Sequence, residues 1–576
     1  MRTTILNHLK RNWHWWAIGL ISGLYILLTW NHIFLLFDWA DWDDTMQYNL
    51  SRSISEGNWL GPYNRATLIK GSVFPLWTAL LHGANIPLWL GTGLLMIFSC
   101  LAIMYALRHL VNSRALMVVI YFIILFNPMI TDRAYRDLII PQITLLVLAW
   151  AIGMFATITA KKRLSSRVLK RDLTIFTIIG LVGLPAWFHI REDGIWLMPT
   201  VAVILLAGFV HYLWPLRKSL RKHSKQLAIL LLLFALPVVA VVVTDVAISK
   251  MNQHYYGRYT TSDYFSSDFK HAYAELARVK ISKESHQTIP VPYEARQKLY
   301  AQVPAFKELE SCLDGEKSVC GGFKKTGPNG HLNDYEGGWL PFAIRIAVSE
   351  AGYYSSATTS YDYYTRLAKE VSDACDTGRL DCHSVRVFSM MSLPDENTLP
   401  YFTENFGNAV SFISLLPFDN NDHLKATSDK NAFLNEMAHY YSIRYVASVE
   451  EESNDTRSMA LRVVLSVYQT INPILLPVSI LIIGSATIVY YRHRFGDWRT
   501  LFIAWLLLLT LLLRLGMLAY IHTVSFPTDT MIYYQSVYTL TFLFEGISIY
   551  IAVTLLRKNT KKKNKKTRRK AVSRAA

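Results

Sequence analysis

Ten apolar stretches, most of them close to the roughly 20 residues needed to cross a bilayer as a helix, restrict this chain more than any other feature. They lie at 13–37, 86–107, 115–130, 138–160, 173–190, 194–215, 227–249, 464–491, 500–523 and 532–556. Charged residues make up 18% of the chain, against about 25% in a soluble protein. The pattern predicts a polytopic α-helical membrane protein with about 10 transmembrane helices. The third stretch is short, and Pro128 and Pro141 interrupt its surroundings. Irregular backbone at membrane depth is tolerated where it lines a cavity, so the loops after spans one, three and five are expected to converge on one.

Loop charge orients the spans. The basic segments "KRN", Arg108 to Arg114, "KKRLSSRVLKR", "LRKSLRKHSK" and "YRHRFGDWR" alternate with the acidic loop from Asp38, "TDRAYRD", "HIREDG" and the long segment 250–463. By the positive-inside rule the first set is cytoplasmic and the second external, with both termini inside. The net charge of +17 comes largely from the tail "RKNTKKKNKKTRRKAVSRAA", with eleven basic residues and no acid. Beside a span, such a tail anchors topology or meets anionic lipids rather than nucleic acid. The start, "MRTTILNHLKRNWHWW", has the basic flank of a signal peptide. Its apolar run is too long and lacks a small-residue cleavage site, so it reads as a retained span.

The expected organisation is a membrane module over 1–249 with a first external loop at 38–85, an external domain over 250–463, membrane helices over 464–556 and a basic cytoplasmic tail over 557–576. Helical spacing in "DFKHAYAELARVKI" and "YEARQKLYAQVPAFKELESCL" makes the external domain mostly helical. Cys312, Cys320, Cys375 and Cys382 fall in it. An even count outside the cytoplasm suggests disulfides, with three connectivities open; Cys100 lies within a span.

The first external loop carries the densest chemistry. "DWADWDDTMQY" places four aspartates within seven residues where the chain leaves the membrane. If it is helical, Asp41, Asp44 and Tyr48 share a face and Asp43 projects beside them. A partly desolvated carboxylate there is a candidate general base. Alternatively, the aspartates solvate a loop, or Asp43 or Asp44 caps the following helix. "LIKGSVFPLW" then places Lys70 and Pro75 in the same loop, and a lysine holds phosphate as a point charge.

An N-terminal span, an acid pair followed by tyrosine ("WDDTMQY") and a lysine–proline segment ("LIKGSVFPLW") together resemble the first external loop of GT-C glycosyltransferases. The resemblance is to the bacterial branch with protein O-mannosyltransferases and lipid A aminoarabinose transferases, and covers the first seven spans. It implies an acid that activates or orients the acceptor and a lysine that contacts lipid phosphate; here glycine follows Lys70, a variant of the family's Lys-Pro-Pro-like motif. "NPMITDRAYRDLIIPQ" and "PAWFHIREDGIWLMP" resemble the family's donor-facing loops, which brings in Arg133, Arg136 and Arg191, with Glu192 and Asp193 as substrate contacts. Forked guanidinium donors suit a departing phosphate; their alternative is snorkelling to lipid headgroups. Deep in later spans, Arg514 and Glu545 are expected to pair, unless Arg514 faces the cavity and meets the donor phosphate.

No nucleotide-binding glycine loop, Walker motif, nucleophile elbow or zinc spacing is present. The reading is transfer of a sugar from a polyprenyl-phosphate carrier to an external glycan, lipid or protein acceptor at the cytoplasmic membrane. Asp44 is the expected base, with Asp43 or Asp41 assisting, and inversion is what the resemblance implies. No cofactor is required, although the acid cluster leaves room for a divalent cation. The rival is a transporter or flippase of a lipid-linked or anionic substrate, but neither inverted repeats nor paired broken helices stand out.

Overall fold

A computed structural model of the chain describes residues 2–37, 41–128, 133–160, 165–191, 193–264, 267–280, 288–315, 320–326, 332–384, 391, 394, 396–417, 432–446, 456–493 and 496–575. In chain order the first helices are α1 (Arg2–Thr29), α2 (Asp44–Ser55), α3 (Val73–Gly83), α4 (Leu88–Leu107), α5 (Arg114–Leu125), α6 (Ile140–Ile158), α7 (Ser166–Ile190), α8 (Met198–Leu213) and α9 (Ser224–Tyr256). Among the described residues, eight helical segments are long and apolar enough to cross a membrane. These are Leu88–Leu107, Arg136–Ile158, Ser166–Ile190, Gly194–Leu216, Leu220–Tyr256, Met459–His493, Trp498–Val524 and Met531–Arg557. The chain is thus a helical protein of membrane type.

Two of the ten expected spans are not among these eight, and both depart from their expected bounds. α1 stops at Thr29, Asn31 adopts a left-handed φ of 52°, and asparagine tolerates that conformation better than most residues. Ile33–Leu35 then runs as a strand paired in parallel with Arg444–Val446, so 33–37 do not continue a membrane helix. α5 has 12 residues, about 18 Å at the helical rise, and Pro128 follows soon after.

At the bundle's centre, α6 is buried at every position from Ile140 to Thr157. A helix apolar all round belongs inside, and α6 packs on α4, α7 and α8. The opposite case is α9, whose face is largely exposed apolar surface such as Val238, Val242 and Val243.

The segment 250–463 divides. Residues 269–380 form a helical domain around their own core of Phe269, Tyr273, Leu299, Phe306, Ala343 and Leu367. Helix Thr398–Leu415 instead lies against the C-terminal membrane helices. There Asn405 Nδ2 donates to Thr523 Oγ1 at 3.1 Å, and Asn472 Nδ2 donates to the Ile413 carbonyl at 2.8 Å. The domain meets the bundle where Gly338 passes Phe526; a Cβ at Gly338 would lie 2.6 Å from that ring.

Cys312 pairs with Cys320 and Cys375 with Cys382, at Cα separations of 5.4 and 5.6 Å. Each bond closes a short loop, which is expected to contribute roughly 2–3 kcal/mol. Denatured, unreduced protein should therefore alkylate only at Cys100, and reduction should lower the thermal midpoint of the folded chain.

Candidate functional site

α2 lies between the two cores. Trp42, Met46 and Leu50 pack into the domain core. Tyr48 packs into the bundle core, its ring against Phe433, Tyr440 and Tyr441. The helix begins at Asp44, so Asp41 and Asp43 precede it instead of sharing its face. Asp43 occupies the cap position, yet its side chain makes no capping hydrogen bond. The carboxylate turns instead to Lys70 and Arg133. Asp41 is exposed at the preceding turn.

Lys70 is buried and donates to Asp43 Oδ1, to the Trp42 carbonyl at 2.5 Å and to the Tyr135 hydroxyl at 2.9 Å. The glycine after it has a steric cause. A Cβ at Gly71 would sit 1.9 Å from the His189 carbonyl oxygen at the end of α7, and only glycine permits that approach.

Arg133 bridges the acid pair. Its Nε donates to Asp44 Oδ1 at 2.7 Å and its Nη2 to Asp43 Oδ2 at 3.3 Å. Arg136, buried at the start of the Arg136–Ile158 span, contacts the Tyr135 ring and the Ile190 carbonyl. Arg191 Nη1 donates to Asp137 Oδ1 at 2.6 Å and its Nε to Asp193 Oδ1 at 3.1 Å. Arg514 Nη1 donates to Asp193 Oδ2 at 2.6 Å, with its guanidinium over Trp196.

The expected Arg514–Glu545 pair does not form. Arg514 extends toward the hairpin after α7, where the Asp193 carboxylate meets it, and Glu545 Oε1 is buried without a hydrogen bond among the described residues. Two charges at similar depth in neighbouring helices pair only if they face each other, and a long guanidinium takes the nearer carboxylate.

Eight of the sequence candidates therefore come together: Asp43, Asp44, Lys70, Arg133, Arg136, Arg191, Asp193 and Arg514. Tyr48 stands one turn along α2 within its aromatic cluster, and Glu192 lies outside the described residues. Asp137, Tyr135 and Tyr533, whose ring lies 5.5 Å from the Arg191 guanidinium, were not singled out from sequence. Asp137 is 1% exposed beside Arg191, and its neighbour Arg136 in "AYRD" was the available signal.

The two adjacent aspartates differ in charge state. Burial alone would raise Asp43, but Lys70 and Arg133 outweigh it and hold this carboxylate well below its usual range. Asp44 is fully buried, and burial, helped by the Asp43 charge, pushes its pKa from 3.8 up to about 7 against the pull of Arg133. Its Oδ2 accepts no hydrogen bond among the described residues. One carboxylate is held as an anion, while the other, with an oxygen that accepts no hydrogen bond among the described residues, has its pKa near neutrality.

Raising a carboxyl's pKa on folding stabilises the protonated form. Asp44 thus contributes stability that is full below about 4 and lost as pH rises through about 7. A plot of unfolding midpoint against pH should show this fall in wild type, and Asp44→Asn should lack it.

Among the described residues, Lys70, Arg133, Arg136, Arg191 and Arg514 stand around the acid pair together with the carboxylates of Asp137 and Asp193. Among the described residues no group of three or more His, Cys, Asp or Glu is arranged to hold a metal ion. No protein-family model, curated protein or solved structure matches the chain.

Proposed function

We propose that the chain is an integral membrane glycosyltransferase of GT-C type, moving a sugar from a polyprenyl-phosphate carrier to an acceptor hydroxyl on the external face of the cytoplasmic membrane. The observation that carries this reading is Asp44: a buried carboxyl near neutral pKa, one oxygen of which accepts no hydrogen bond among the described residues, set beside Lys70 and arginines at the ends of membrane-type helices.

In this reading Asp44 Oδ2 takes the acceptor's proton as the acceptor oxygen bonds to the anomeric carbon. The bond from that carbon to the phosphate oxygen breaks, and its electron pair leaves with polyprenyl phosphate. Arg136, Arg191 and Arg514 stabilise the departing anion; the Arg191 and Arg514 guanidiniums are already placed by Asp137 and Asp193, so little reorganisation accompanies the reaction. Lys70 and Arg133 hold the acid pair and add positive charge behind it. The acceptor is a surface polysaccharide, a lipid-linked glycan or a protein.

The test uses the full chain in proteoliposomes, a panel of polyprenyl-phosphate hexoses and cell-envelope glycan as acceptor. Release of polyprenyl phosphate is expected, with a rate that rises with pH through about 7 as Asp44 loses its proton. No release from any donor, or vectorial movement of substrate without transfer, would overturn the reading.

A further inference from the structure

The face of α2 that points at the bundle carries Asp44, Gln47, Tyr48 and Ser51, all essentially without solvent exposure. Two turns along, its polar groups are satisfied: the Ser51 hydroxyl meets Thr78 at 2.6 Å and Tyr440 at 2.8 Å. The first turn is different. Gln47 is 0% exposed, and neither its Oε1 nor its Nε2 has a hydrogen-bond partner among the described residues. Asp44 Oδ2, one turn before it, is in the same state, as is the hydroxyl of Tyr441, whose ring packs by Tyr48. Burial, with the charge of Asp44 assisting, drives that phenol well above its usual range, which keeps it a neutral donor.

A buried amide with both ends unmade costs roughly 1–3 kcal/mol per group. Such groups persist where a ligand completes them. Here they cluster within one helical turn of the proposed base. We infer that Gln47, with Tyr441, is an acceptor-binding pair that recognises a carbohydrate through a hydroxyl adjacent to the one Asp44 deprotonates. The inference rests on the glycosyltransferase reading and names the acceptor class.

The chemistry favours a sugar. A carboxamide presents an acceptor and a donor side by side, which matches neighbouring hydroxyls on a pyranose ring. A serine or threonine side chain offers Asp44 its single hydroxyl and leaves the amide unmade. Sites built to hydrogen-bond a substrate hydroxyl discriminate strongly against ligands that lack it.

The experiment measures binding to the full chain in detergent, with the methyl glycosides of glucose, mannose, galactose and rhamnose as probes and N-acetylserine amide as the single-hydroxyl control. At least one glycoside should bind wild type, and Gln47→Leu and Gln47→Met should weaken it roughly 10- to 100-fold. Both variants should unfold at or above the wild-type midpoint, because they remove buried polar groups that no described protein atom satisfies. Variants that unfold below wild type would show that the amide has a protein partner and overturn the inference. So would equal glycoside binding by variants and wild type, binding of the serine control alone, or no binding at all. Failure of the glycosyltransferase reading would look different: no release of polyprenyl phosphate, with glycoside binding still dependent on Gln47.

Discussion

Asp44→Asn is expected to cut sugar transfer by roughly 10²–10⁴-fold, the usual span for a lost general base, while the protein stays folded. Asparagine keeps the shape and can still accept from Arg133 through its carbonyl oxygen, but it cannot take a proton. The stability side supports survival: Asp44 resists ionisation because it is buried, so the neutral amide relieves a cost at pH 8 instead of adding one. Transfer rates and unfolding midpoints measured together on the same preparation provide the check. Asp43→Asn should behave differently. It leaves the largely buried Lys70 and Arg133 short of a half-buried counter-charge, so its midpoint should fall along with its activity. Full activity in Asp44→Asn would remove Asp44 from the chemistry.

A second large effect is expected at Arg345. Its side chain is fully buried, and its Nε donates to the Arg65 carbonyl at 2.7 Å, its Nη2 to the Thr67 carbonyl at 3.1 Å and its Nη1 to Asp263 Oδ2 at 2.5 Å. Asp263 in turn donates its backbone N–H to the Leu68 carbonyl at 2.7 Å. One guanidinium thereby ties the 269–380 domain to the loop that carries Lys70. Arg345→Ala leaves Asp263 buried and short of its cation, a loss of roughly 3–5 kcal/mol. Denaturant titration should show that loss, and transfer should fall with it because Lys70 no longer has a fixed backbone. A change below about 1 kcal/mol would mean that the domain docks through its apolar contacts alone.

The sequence was most informative where the physics is local. Eight of ten expected spans stand among the long apolar helices because hydrophobicity over about 20 residues decides the matter. The other two are an α1 that ends at Thr29, short of the expected 37, and a 12-residue apolar helix. The four external cysteines were legible as disulfide candidates with three connectivities open, and the structure joins those seven and eight residues apart. Basic and acidic residue types around the first loop were also legible, as a family-like pattern of charges.

Which of those charges meet was not legible. Arg133 reaches Asp44 across 89 positions and Arg514 reaches Asp193 across 321. No periodicity records such distances, and sequence reasoning paired Arg514 with Glu545 by depth alone. The same holds for the placement of Thr398–Leu415 against the membrane helices. By itself the sequence determined a helical membrane protein with an acidic turn near basic loops. Only the tertiary structure decided that Asp43 is held as an anion, that burial raises the pKa of Asp44 beside it, and that Gln47 has no hydrogen-bond partner among the described residues. Protonation and hydrogen-bond satisfaction depend on burial and on charges brought in from distant elements, and those exist only once the chain is packed.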